Sequence, residues 1–314
     1  MARWLTRDDL GAAAGSATGL LLVSPDVSSV FPLSPEDRTA AARLTTAALR
    51  ESGVGEHDRV VVALAEPAGA LWATAAADVA RAAACVGPRG RMRLHHALST
   101  LKATTLVATP TGAMDLLARL HLEFLLDPLD LGLRTIVLTG EIASKRTLAH
   151  LAGEFGATVT EVLASPFGGG ALAWREAEEQ PLRPLADGLL GLAALDKDVP
   201  ATADGPAELV VTPSAHSSLG DAVLRTGLVA RIAEAGRSPR PPTRWASTCW
   251  SGACGWRCRG SRRRCRGSTA WRGGSWRSAG RGRWTRRCSR SRSPGGAWSA
   301  TPCGRGGSSR PCGR

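Results

Sequence analysis

Apolar positions follow two rhythms along the first three-quarters of the chain. Ser34 to Ser52 (SPEDRTAAARLTTAALRES) opens with a serine N-cap and acids in its first turn. Apolar residues then recur at helical spacing until Gly53 stops them, which predicts a helix. Gly55-Glu56-His57-Asp58 predicts a turn, and Arg59 to Ala65 (RVVVALA) is a short β-branched run of the kind buried on both faces of a parallel sheet. The same alternation continues: helices at Ala70 to Ala84, Leu94 to Leu101, Ala113 to Phe124 and Ser144 to Phe155, the last closed by Gly156. Between them lie strands at Thr105 to Ala108, Leu133 to Leu138 and Thr158 to Leu163, with a break at Thr109-Pro110-Thr111-Gly112. A further strand starts at Leu209 to Thr212, and Leu224-Arg225-Thr226-Gly227 marks a turn. Strand, turn and helix in repeated order predict an α/β fold of mostly parallel sheets with helices on both faces.

Composition divides the chain in two. The whole carries 40 basic and 27 acidic residues, net +13, which alone would point to a nucleic-acid or membrane-surface partner. Residues 237–314, however, hold 20 arginines and no acid, so residues 1–236 have 20 basic against 27 acidic groups, net −7. The same cut places 7 of the 8 cysteines and 7 of the 10 tryptophans in the tail. That tail uses only Arg, Ser, Gly, Cys, Trp, Pro, Ala and Thr. Lacking Leu, Val, Ile, Phe and Met, it cannot form an apolar stripe of either period, and the reading is a disordered tail. All eight types are specified by codons with G or C in the middle, and every missing type needs A or T there. In a GC-rich gene, a one-base slip moves the G/C-rich third base into that position and yields this alphabet. Glu234 is the last residue to break the pattern, so the slip falls shortly after it and residues 237–314 read as out-of-frame translation.

Rival readings of the tail are less well supported. An Arg/Ser/Gly-rich arm with interleaved Trp has the cations and rings of a nucleic-acid-binding segment, and any such affinity would be incidental electrostatics. Cys249, Cys254, Cys258 and Cys265 have no accompanying His and no Cys-x-x-Cys pair for zinc. Met1 to Leu10 opens no signal peptide, and no stretch reaches the 18 apolar residues of a membrane helix, so a cytoplasmic protein is expected.

Within residues 1–236 an order of motifs stands out. Leu5-Thr6-Arg7-Asp8-Asp9-Leu10, Gly53 to Val60, Leu106 to Leu117 and Leu131 to Trp174 (with Gly140-Glu141 and Phe155-Gly156-Ala157) follow one another, then Leu209 to Thr212 and Leu224 to Gly227. This succession resembles the large N-terminal domain of the phenylacetate–CoA ligase family, within the adenylate-forming enzymes, over about residues 5–232. The resemblance implies two-step chemistry: a carboxylate attacks ATP to give an acyl-AMP, and CoA then displaces AMP. It implies ATP, Mg2+ and CoA as cofactors, a small-molecule carboxylate as substrate, and a mobile C-terminal lid carrying a lysine.

Departures from the family fall on the chemistry. The phosphate loop should precede Phe31-Pro32-Leu33-Ser34, but Ser24 to Ser29 (SPDVSS) has neither glycine nor lysine; upstream Gly15 to Gly19 (GSATG) is a remnant. The family's Tyr-Gly-x-x-Glu segment falls on Leu163-Ala164-Ser165-Pro166-Phe167, without the aromatic or the metal-binding acid. Thr226-Gly227 runs into Leu228, where the family has a ribose-binding Asp, and the lid would lie beyond residue 236. The surviving binding candidates are Gly140, Glu141, Ser165, Thr226 and Gly227; no catalytic or metal-ligating residue is identified. His57, His95, His96, His121, His150 and His216 read as surface or capping residues, and Asp8-Asp9 and Glu178-Glu179 as solvated charges. Cys85 reads as a small hydrophobe at a helix end. The expected protein is a truncated, diverged ligase relative, inactive as translated. The alternative is a non-catalytic α/β binding or scaffold protein that keeps the fold.

Overall fold

The computed structural model describes residues 3–240 apart from 13, 17, 24–29, 165–169, 178–179, 196, 202–205, 214–215 and 233–238. The chain divides into units Met1–Arg257 and Cys258–Arg314, and the described residues belong to the first. Nearly all of the arginine-rich tail, its cysteines included, lies outside them.

The chain opens with a short strand, β1 (Trp4–Leu5), and a helical turn, α1 (Arg7–Ala12). The Asp9 carboxylate receives the Thr6 N–H and hydroxyl at 2.7 Å, and these hydrogen bonds hold its pKa below the ordinary value. An antiparallel hairpin of β2 (Leu20–Val23) and β3 (Val30–Leu33) follows. Then comes α2 (Pro35–Glu51), capped as its sequence predicts. The Ser34 hydroxyl accepts the Asp37 N–H at 3.1 Å, and the Asp37 carboxylate accepts the Ser34 N–H at 2.9 Å.

The body of the unit is a doubly covered sheet. Its strands are β4 (Arg59–Ala63), β5 (Ala82–Cys85), β6 (Thr105–Ala108), β7 (Thr135–Thr139), β8 (Thr158–Ala164), β9 (Ala171–Arg175) and β10 (Arg183–Pro184). The spatial order is β10-β9-β8-β7-β6-β4-β5, with β8 through β5 parallel and β9 and β10 antiparallel. Helices α4 (Arg91–Thr100), α5 (Pro110–Arg119) and α6 (Lys145–Phe155) cover one face, burying Leu98, Leu116, Leu151 and Phe155 against Leu106, Ile136 and Leu138. On the other face α2 and α3 (Ala68–Ala77) place Leu49 and Trp72 against Val60, Val62, Val107 and Val137. Burial on both sides is why these strands read as unbroken β-branched runs.

At the N-terminal edge of the sheet, the buried Asp58 ties three strand starts together. Its carboxylate receives the Gly55 N–H at 2.9 Å, the Thr104 hydroxyl at 2.6 Å and the Arg134 guanidinium at 2.5 Å. Burial pushes its pKa up, but these donors prevail and the net direction is down.

The second sheet is mixed. It consists of β1, β11 (Leu190–Ala193), β12 (Pro206–Val211), β13 (Val223–Ile232) and β14 (Pro239–Arg240), in the order β1-β13-β12-β11 with β14 also on β13. Only β1 pairs parallel; the other contacts are antiparallel.

Two local readings need correction. The alanine-rich segment Ala70 to Ala84 is not one helix: α3 stops at Ala77, and Ala82–Cys85 is the edge strand β5, with Arg59↔Ala82 and Val62↔Cys85 in register. Alanine favours helix in isolation, but the edge of the sheet supplies backbone partners that outweigh that preference. Cys85 consequently ends a strand, is partly exposed, and donates its thiol to the Glu66 carboxylate at 3.1 Å. Leu224 to Gly227 is likewise not a free turn; it lies within β13.

Candidate functional site

The C-terminal ends of β7 and β8 face the second sheet across a cleft. The turn after β7 supplies Gly140, Glu141 and Ile142; β8 supplies Glu161 through Ala164; β9 supplies Arg175; and β12 and β13 supply Leu209, Leu228, Val229 and Ala230. Ligands in open α/β sheets bind beyond the carboxyl ends of the strands, and this cleft lies there, two strands from the β4/β6 reversal of strand order.

Gly140 takes φ 85°, a left-handed conformation that lets the chain turn sharply out of β7. Glu141 follows and is anchored sideways. Its carboxylate accepts the Thr111 N–H at 3.1 Å and the Thr111 hydroxyl, at the start of α5. Thr109 caps that helix by accepting the Gly112 N–H at 3.0 Å. The segment predicted as a break is therefore a helix start, and it holds Glu141 in place.

Deeper in the cleft sits a buried ion pair. Glu161 and Arg175 face each other across the β8–β9 register and are 5% and 1% exposed. Arg175 Nε donates to Glu161 Oε2 at 2.6 Å and Nη2 contacts the same oxygen, while Glu161 Oε1 accepts the Ala143 N–H at 2.9 Å. Two charges held this far from water depend on each other, and on the Ala143 N–H, to offset the cost of their burial.

Across the cleft, β13 bulges against β12. Glu208 pairs with Val229 and Val210 with Arg225, so Leu209 faces the three residues Thr226, Gly227 and Leu228. Gly227 adopts φ 74° and donates its N–H to Glu208 Oε1 at 2.8 Å. The Thr226 hydroxyl donates to the Leu209 carbonyl at 2.6 Å and accepts the Leu228 N–H at 3.1 Å. Arg225 completes the cluster by donating to Glu208 at 2.8 Å, Asp198 at 2.6 Å and the Ala194 carbonyl at 2.7 Å. Burial works to lower its pKa, yet Glu208 and Asp198 raise it overall.

Of the five binding candidates, Gly140 and Glu141 line the cleft. Thr226 and Gly227 are placed beside it by Leu228, with their polar groups engaged inside the bulge. Ser165 lies outside the described residues, as do Ser24 to Ser29 and Glu178-Glu179. Sequence reasoning missed Glu161, Arg175, Glu208 and Arg225. The signal was present: each is a lone charge inside an apolar strand (TVTEVL, ALAWR, PAELVV, VLRTGL), where charge is admitted only if paired.

A second polar cluster ties α2 to the segment before β13. Asp37 receives the Ser217 N–H at 3.0 Å and the Ser217 hydroxyl at 2.5 Å. His216 is buried, packs edge-on against Phe31, and accepts the Ser218 and Leu219 N–H groups on Nδ1, both at 3.2 Å. It is thus a turn-capping histidine. His95, on α4, packs against the Phe124 ring, and His96 faces Thr100.

The fit of the groups implied by the resemblance follows from the side chains present. Among the described residues no three His, Cys, Asp or Glu side chains converge to hold a metal. The cleft wall is mainly apolar, and its one guanidinium, Arg175, is bonded to Glu161. Segments 24–29 and 165–169, where the resemblance puts the phosphate loop and the metal-binding acid, lie outside the described residues.

The fold is similar to that of several CoA ligases of known structure. A 2-hydroxyisobutyryl-CoA ligase, solved with 2-HIB-AMP and CoA, superposes with a TM-score of 0.64 at 17% identity, over 76% of this chain and 62% of that one. A benzoate CoA ligase from Burkholderia xenovorans LB400 gives 0.53 at 16% identity, over 66% and 45%. A long-chain-fatty-acid-CoA ligase from Archaeoglobus fulgidus gives 0.52 at 15%, over 68% and 48%. The chain therefore spans less than two-thirds of the length of each of these ligases. No family model matches the sequence, and no curated protein matches it.

Proposed function

We propose that residues 1–236 are a diverged relative of the phenylacetate–CoA ligases, and that the chain as it stands does not adenylate. In its intact form the protein activated a small-molecule carboxylate with ATP and passed the acyl group to CoA. One observation carries the loss: the polar groups around the cleft are committed to the protein itself. Glu161 is bonded to Arg175 and Ala143, Glu141 to Thr111, and Thr226 and Gly227 to their own bulge. The candidate positions Gly140 and Glu141 provide a place beside a ligand, but no group to activate one. The codon argument supports residues 237–314 as out-of-frame translation, which would also have replaced the lid. No helix among the described residues is long and apolar enough to cross a membrane, in keeping with a cytoplasmic protein.

ATP–pyrophosphate exchange tests this reading, using the full chain with phenylacetate and other aromatic and aliphatic carboxylates. The expected result is no exchange above the carboxylate-free blank; carboxylate-dependent exchange overturns the loss. Resequencing the gene beyond codon 225 tests the tail. A single inserted or missing base near codon 235, whose correction brings back Leu, Val, Asp and Glu, supports it; a confirmed frame rejects it.

The apolar cleft wall also favours a second reading, a non-catalytic binding or scaffold protein that keeps the fold. That reading predicts a partner bound without nucleotide.

A further inference from the structure

Helices α5 and α6 follow β6 and β7, so both start at the carboxyl ends of the strands, on the cleft's side of the sheet. Helix starts in this position ordinarily receive an anionic ligand on their free N–H groups. Here four of those donors serve the protein itself. The Thr111 N–H goes to the Glu141 carboxylate at 3.1 Å and the Gly112 N–H to the Thr109 hydroxyl at 3.0 Å. The Ala143 N–H goes to the Glu161 carboxylate at 2.9 Å and the Thr147 N–H to the Ser144 hydroxyl at 3.2 Å. Two acids of the chain thus occupy the places that a bound anion would take.

The lining side chains point the same way. Glu141 and Glu161 stand against a single guanidinium, Arg175, and that cation is bonded to Glu161. A carboxylate or phosphate entering the cleft would meet negative charge, and the donors described there are in use, so nothing would replace its water. The rest of the wall is carbon, with Leu163, Ala164, Leu182, Leu209, Leu228 and Ala230 around the space. The cleft encloses about 520 Å³ with its mouth included, within the span of roughly 300–1,000 Å³ that small-molecule sites occupy.

We propose that the cleft binds a compact uncharged molecule with an aromatic or aliphatic body, and that it does so without nucleotide. The proposal rests on the non-catalytic binding reading given above and names its ligand class: neutral amides, esters or alcohols rather than the corresponding carboxylates. Apolar surface leaving water supplies the affinity, and the committed carboxylates reject the anion.

Ligand-observed NMR titration of the full chain at neutral pH, with no nucleotide present, tests the proposal. The neutral probes are phenylacetamide, benzyl alcohol and hexanamide, set against phenylacetate and hexanoate. Saturable binding of the neutral probes is expected, with the carboxylates weaker by about tenfold or more. Ala164→Phe, at a partly exposed position of the lining, should abolish binding while circular dichroism stays unchanged. Glu141→Arg, which frees the Thr111 N–H and adds a cation, should close the gap between amide and carboxylate; a folding defect would weaken both instead. No saturable binding of any neutral probe, carboxylates that bind as tightly as the amides, or amide binding indifferent to Ala164→Phe each overturns the proposal. Failure of the proposed loss of adenylation is read separately, as carboxylate-dependent pyrophosphate exchange, whatever the neutral probes do.

Discussion

The two sheets of the folded unit rely on buried charge to different extents. In the seven-stranded sheet, strands such as Thr135–Thr139 are buried on both faces, and the interface with the helices is carbon: Leu106, Ile136 and Leu138 on one side, Val107 and Val137 on the other. In the second sheet, buried charges do much of the joining. Arg225 links β13 to Glu208 on β12 and to the 194–198 segment, and Glu208 also fixes the Gly227 bulge. The cleft lies where the two styles meet, and its floor, Glu161 with Arg175, belongs chemically to the second. A carbon interface is graded: every methylene lost costs a little. A buried ion pair is conditional, because either partner alone is worse than neither.

The largest effect is expected from breaking that condition. Arg175→Leu leaves Glu161 uncompensated in the cleft floor and should cost about 3–5 kcal/mol in urea unfolding. Replacing both partners, Glu161→Leu with Arg175→Leu, should recover most of that loss, whereas additive costs would show that the pair is not conditional. Leu138→Ala, in the carbon interface, should cost about 2–5 kcal/mol whatever the salt or pH. Its value should simply add to that of a distant core change.

Acid should act on the side where charge does the joining. Burial works to raise the Asp37 pKa, but the Ser217 and Ser34 hydrogen bonds lower it from 3.8 to about 2. Its contribution is therefore complete above pH 3.8 and is lost as pH falls through about 2. His216 is pushed below its ordinary 6.5 by burial, against the opposing pull of Asp37 and the Pro32 carbonyl. Protonating Nδ1 would also break its bonds from Ser218 and Leu219. Because the unfolded chain takes up that proton first, stability is present above pH 6.5 and declines as pH falls below it. His216→Gln should flatten this mildly acidic limb of the stability–pH curve; an unchanged limb would remove His216 from the account. The smallest effect belongs to local structure. Ser144→Ala, which deletes the α6 cap accepting the Thr147 N–H at 3.2 Å, should cost about 1 kcal/mol.

The same contrast explains what could be read from the sequence. Thr105–Ala108 and the Ser144-to-Gly156 helix are placed as expected, because β-branched runs and capping residues are local signals. Ala82–Cys85 escaped because alanine favours helix in isolation, and only the partner strand at the sheet edge overrides that preference. The β2–β3 hairpin escaped because Pro32 interrupts a four-residue run. Gly140-Glu141 was legible as a strand–turn–helix junction. Glu161 and Arg175 were not: they are 14 positions apart, and only the antiparallel turn-back of β9 brings them together. Leu224 to Gly227 reads as a turn, yet it lies within β13 as a bulge set by Glu208 from another strand.

Calorimetric titration of the full chain with ATP and Mg2+ tests the central claim, that the cleft's polar groups are already committed to the protein. The account predicts no saturable heat, and none after Thr226→Val. Saturable binding that Glu141→Gln weakens would contradict it, since a carboxylate tied to Thr111 would then be serving a nucleotide.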